Sequence, residues 1–64
     1  MKFKEFDTVR LLRDCEEGAK KGDIGAILMV FEEPNEAYEV EFLDSEGCPK
    51  AQCTLLPNEL EFVN

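Results

Sequence analysis

Hydrophobic and polar residues alternate with a period of two over most of this chain, and turn-forming residues interrupt the pattern at short intervals. Between Asp7 and Leu12, Val9 and Leu11 alternate with Thr8 and Arg10, which predicts a half-buried strand. Arg13 to Asp23 is polar, carries Gly18 and Gly22, and lacks a second apolar stripe, so it is expected to be a loop. Gly25 to Phe31 is apolar throughout, which predicts a strand covered on both faces, central in a sheet or curled into a closed one. Pro34 and Asn35 then build a turn. Ala37 to Leu43 alternates again, with Tyr38, Val40 and Phe42 on one side and Glu39 and Glu41 on the other. Asp44 to Gly47 is a tight turn in which Gly47 is free to take positive φ, so a hairpin joins this strand to Lys50–Leu55. In that next strand Ala51, Cys53 and Leu55 point inward. Pro57 to Glu59 makes a further short turn, and Leu60 to Val63 a fifth strand.

Five short strands at this spacing predict an all-β fold, a small barrel or sandwich. Closure is the economical solution because it removes exposed edges and wraps one core. The expected core is Val9, Leu11, Ile24, Ile27, Met29, Tyr38, Val40, Phe42, Ala51, Cys53, Leu55, Leu60 and Phe62. The register of the second strand is the least determined, since both of its faces are apolar. With 64 residues the chain is one domain, spanning 1–64. A domain of this size buries only about 60% of the surface its unfolded chain exposes, so a staple or a partner is expected to help it.

Composition narrows the function. The 44% hydrophobic content argues against a disordered acidic tail, although 15 acids stand against 7 bases and the net charge is −8. That balance disfavours DNA, RNA and anionic membrane as partners, which need a basic footprint. No apolar run approaches the ~20 residues that span a bilayer. The charged N-terminal residues stand where a signal peptide needs an apolar stretch, so a cytoplasmic protein is expected. Cys15, Cys48 and Cys53 are an odd set with no C-x-x-C and no His beside them, so three free thiols and no metal are expected, with Cys53 in the core and the others in loops. The absence of His and of a pocket-sized interior argues against an enzyme; no catalytic residue and no cofactor is expected.

The order of strand, polar loop, Gly22-Asp23-Ile24-Gly25-Ala26-Ile27-Leu28, hairpin and closing strand resembles the SH3-like barrels, and the glycine segment resembles the turn-and-strand core of KOW-type modules. In such modules the glycines serve a sharp turn before a long second strand. The chain is also similar to a family of small bacterial proteins, domain-of-unknown-function family 4926. The similarity rests on Asp7-Thr8-Val9-Arg10-Leu11, Gly22 to Ile27, Tyr38-Glu39-Val40-Glu41-Phe42, Asp44 to Gly47 and Thr54-Leu55, nearly the whole chain. The resemblance implies a five-stranded SH3-like small barrel; it implies no activity.

One feature stands apart. Glu32, Glu33, Glu36, Glu39, Glu41, Asp44 and Glu46 follow one another with no Lys or Arg between them. Glu39 and Glu41 point the same way about 7 Å apart on a strand. Together the seven predict an acidic ridge that docks on a basic protein partner, as in a small immunity or antitoxin-type protein. The alternative is that Glu simply fills solvent-facing strand positions and keeps the chain soluble. No Asp-x-Asp-x-Asp-Gly loop suggests calcium. A second function class is a KOW-like accessory module of translation or transcription that contacts RNA through Arg10, Arg13, Lys20 and Lys21. Phe3 and Phe6 are expected to cover the open end of the barrel or, with Phe31, to form a homo-oligomer contact.

Overall fold

The computed structural model describes residues 2–63; Met1 and Asn64 lie outside the described residues. The strands are β1 (Thr8–Leu11), β2 (Ile24–Phe31), β3 (Ala37–Leu43), β4 (Pro49–Leu55) and β5 (Leu60–Phe62), with a 3₁₀ turn at Pro57–Glu59 between the last two. All pairings are antiparallel, in one sheet of order β4-β3-β2-β1-β5. The all-β expectation is met. Closure into a barrel is not: β4 and β5 are both edges, and no ladder joins them.

The sheet curls around its inward face instead. Cys15, just beyond β1, meets Cys53 of β4, although β2 and β3 lie between those strands in the sheet. Lys50 of β4 likewise reaches Asp23, one residue ahead of β2, at 2.7 Å. Beyond β1 the 12–23 loop is tied to the 3₁₀ turn. The Leu12 N–H donates to the Glu59 carbonyl at 2.9 Å, and Ala19 at the loop's centre is buried. The 3₁₀ turn is held by Pro57 at its start and by the Glu59 carboxylate, which accepts the Leu56 N–H at 2.8 Å.

The core occupies the concave side: Val9, Leu11, Ile27, Tyr38, Val40, Phe42, Cys53, Leu55 and Leu60, with Phe3 and Ala19 added from outside the strands. Four expected members differ. Met29 is 51% exposed because the β2–β3 register slips between Ile27 and Met29. Leu28 is the extra residue of a bulge, so Met29 lies opposite Glu39 on the outer face, and Val30, opposite Tyr38, takes the inward position. Ile24 lies opposite Arg10 on the outer face and is exposed. Its neighbour Gly25 takes the inward place opposite Val9, where a Cβ would stand 2.7 Å from the Glu41 carbonyl and 2.8 Å from the Phe42 ring. Gly25 therefore serves close packing, whereas Gly22, at φ +96°, serves the turn ahead of the strand. Phe62 lies opposite Val9, but β5 is a three-residue edge with one flank open, and the ring is 56% exposed. Ala51 is half-buried against the core.

Of the two N-terminal phenylalanines, only Phe3 caps the concave side. Its ring stands edge-on to Tyr38, centroids 5.3 Å apart, and its N–H donates to the Tyr38 hydroxyl at 3.1 Å. Phe6 takes φ +71° and is 78% exposed.

Candidate functional site

The seven acids of the expected ridge spread along the whole hairpin. Glu32 and Glu33 are exposed in the β2–β3 turn, and Glu36 closes that turn. Glu39 and Glu41 lie on the outer face of β3, flanked by Gln52 and Thr54 on β4 and by Ala26 and Met29 on β2. Asp44 and Glu46 occupy the β3–β4 turn. A seven-residue strand is about 23 Å long, so the two turn clusters stand at opposite ends of the stripe. Only Glu39 and Glu41 share one face of one strand.

Three of the seven carboxylates are used within the fold. Glu36 accepts the Lys2 N–H at 3.0 Å and the hydroxyl proton of Tyr38. The Tyr38 hydroxyl and then the Lys2 N–H hold the Glu36 carboxyl below its ordinary range, while burial and then the hydrogen bond to Glu36 push the phenol up. Glu39 accepts from Gln52 Nε2 at 2.6 Å and from Thr54 Oγ1 at 2.7 Å, tying β3 to β4 across the outer face. Asp44 caps its own turn, one Oδ accepting the N–H groups of Glu46 and Cys48, both at 2.9 Å.

The distribution of cations is the informative part. Among the described residues the ion pairs are Arg10–Glu61 at 2.5 Å, Arg13–Glu59 at 2.8 Å and Lys50–Asp23 at 2.7 Å. Lys50 and the Lys20 N–H lower the Asp23 carboxyl below its ordinary value. The stripe acids take no part in these pairs, apart from the pull of the nearby Lys2 charge on Glu36. The same pairs remove Arg10 and Arg13 from the basic set considered for RNA, which leaves the exposed Lys20 and Lys21.

The sequence reading missed a second cluster. Cys15 and Cys53 are paired across 38 residues of chain, so the expectation of three free thiols is corrected to one, the exposed Cys48. Glu17 Oε1 lies 2.8 Å from Cys15 Sγ. A shallow cleft of about 180 Å³ opens beside them, lined by residues 13–17 and by Thr54, Leu55 and Glu59. That is below the ~300 Å³ of an ordinary small-molecule site. Alternation correctly turned Cys53 inward, but no local spacing relates it to Cys15. Only the curl of the sheet brings the exit of β1 to the side of β4.

The family described as Domain of unknown function (DUF4926) matches residues 5–62. The chain belongs to that family. Membership covers every strand of the sheet and both clusters. No curated protein and no solved structure matches the chain. No helix among the described residues is long and apolar enough to cross a membrane.

Proposed function

We propose that this family member is a non-enzymatic interaction module that docks the acidic stripe of β3 and its flanking turns on a basic protein surface, in the manner of a small immunity or antitoxin-type protein. The observation that carries this reading is the separation of charges: among the described residues the ion pairs use Asp23, Glu59 and Glu61, and none uses a stripe acid. Like charges held along one strand repel, and a basic partner relieves that repulsion, speeds encounter and fixes orientation. Glu41 and Glu46 are the residues to reverse. Neither carboxylate holds the fold together, whereas Glu39 and Asp44 bond to neighbouring groups.

The test is affinity capture from the source cell's lysate at low and high salt, with and without nuclease, using wild type and Glu41→Lys/Glu46→Lys. One basic protein is expected, retained after nuclease, weakened by salt and lost from the variant. Equal retention by the charge-reversed protein, with its circular dichroism unchanged, rejects the docking stripe. Recovery of ribonucleoproteins that vanish with nuclease favours instead a KOW-like RNA role through Lys20 and Lys21.

A further inference from the structure

We propose that Cys15, Cys53 and Glu17 form, in the dithiol state, a binding site for one thiophilic divalent cation of the zinc class. The two sulfurs are in direct contact and Glu17 Oε1 lies 2.8 Å from Cys15 Sγ. All three ligand atoms fall within 4.8 Å of one another. Two thiolates and a carboxylate are a donor set zinc accepts, with water in the fourth position of a tetrahedron. Metal–sulfur bonds of about 2.3 Å at tetrahedral angles hold two sulfurs ~3.8 Å apart. The Cα atoms stand 7.2 Å apart, so side-chain rotation within the reduced pair opens that spacing without moving the strands.

The surroundings suit an ion. Cys53 is buried on β4, opposite Val40, which keeps one side of the site dry and fixed. Cys15 is half-buried where the cleft opens, which gives the ion access and leaves the fourth position to solvent. The loop that carries Cys15 is itself held: its N–H donates to the Ala19 carbonyl at 2.8 Å, its carbonyl accepts the Gly18 N–H at 3.1 Å, and Ala19 is buried. Asp14, Glu16 and Glu59 line the same cleft, and its one cation, Arg13, is taken up by Glu59. Binding expels the two thiol protons, so affinity rises with pH. A disulfide offers no thiolate, which makes the metal form and the cross-linked form mutually exclusive.

The test uses the full chain with Cys48→Ser, which removes the third thiol. The folded protein is reduced with a phosphine, desalted anaerobically and titrated with Cd²⁺, following the thiolate-to-cadmium absorption in the ultraviolet and proton release in weak buffer; Zn²⁺ then competes. The expected result is one ion and two protons per chain. Glu17→Gln should weaken binding at least ~10-fold, in line with the loss on disturbing a metal's supporting groups, and Cys15→Ser should remove the band. The oxidised protein should show no band, a comparison that stands even where Cys15→Ser fails to fold. The proposal is overturned by any of three results: reduced protein that binds Cd²⁺ no more tightly than the oxidised form, half an ion per chain, or a thiol count that stays at zero after reduction.

Discussion

Removing one oxygen from the core, by Tyr38→Phe, should destabilise the protein by about 2 kcal/mol. The hydroxyl accepts the Phe3 N–H and donates to Glu36, so it anchors the N-terminal segment to β3. Phenylalanine keeps the ring, its packing against Phe3 and its full burial. What remains is a buried main-chain donor without an acceptor, which costs about 1–3 kcal/mol. The lost bond to Glu36 adds a smaller part that depends on pH, because water resolvates that partly exposed carboxylate. Total stability at this length is on the order of 3–10 kcal/mol, so the loss is a large share of it. It corresponds to a fall in Tm of roughly 8–16 °C. Tyr38 is the only tyrosine and the chain has no tryptophan, so urea melts are followed by far-ultraviolet circular dichroism. The gap should also depend on pH. Tyr38 is the first cause of the lowered Glu36 carboxyl, so its contribution is fully present above the ordinary value of 4.5 and fades as pH falls through the lower folded value. The difference between wild type and Tyr38→Phe should therefore be larger at pH 7 than near pH 3.5. A variant within about 0.5 kcal/mol of wild type at pH 7, the scatter of ordinary surface substitutions, would refute this account of the N-terminal anchor.

Other substitutions test the sheet. Gly25→Ala should cost about 1–3 kcal/mol in a thermal melt, because the new methyl meets a carbonyl oxygen that cannot move aside; a neutral result would show that β2 and β3 part easily there. Met29→Lys should change the urea midpoint negligibly, whereas Ile27→Ala should cost about 2–5 kcal/mol; the reverse order would place the bulge elsewhere. Reducing the Cys15–Cys53 pair, which closes a 38-residue loop, should lower stability by about 4 kcal/mol. Identical urea midpoints with and without reductant would mean that the pair does not constrain the unfolded chain.

Alternation made most of this fold legible. Tyr38, Val40 and Phe42 face inward and Glu39 and Glu41 outward, as a period of two requires, and Gly47 takes the positive φ its turn demands. Alternation failed where the chain departs from it without a local signal. A bulge in a strand that is apolar on both faces leaves Ile27 and Met29 on opposite sides, and nothing in Ile-Leu-Met-Val distinguishes the two registers. Ala19 lies outside any periodic run, so its burial followed only from what the curled sheet left uncovered, whereas Phe3 takes the covering role expected of it. Closure is a related case: counting strands favours a barrel, but the sheet curls with no ladder between β4 and β5. The stripe was visible as a run of acids, yet which carboxylates stay free depended on side-chain partners that no run reveals.

The open edges and the charge together bear on what the protein pairs with. β4 and β5 each present an unpaired edge, and Phe6, Met29 and Phe62 add exposed apolar surface, features that ordinarily invite a second copy. Yet each copy carries a net charge of −8, and its cations near the edges are already engaged: Lys50 on β4 with Asp23, and Arg10 beside β5 with Glu61. Two such molecules meeting edge to edge bring like net charge together, at a cost that grows as salt is lowered. A basic partner meets the same apolar and edge groups with attraction in place of repulsion. The two alternatives therefore separate by ionic strength: self-association should strengthen as salt rises, and docking of a basic protein on the β3 stripe should weaken. That opposition is what makes the salt arm of the capture experiment decisive.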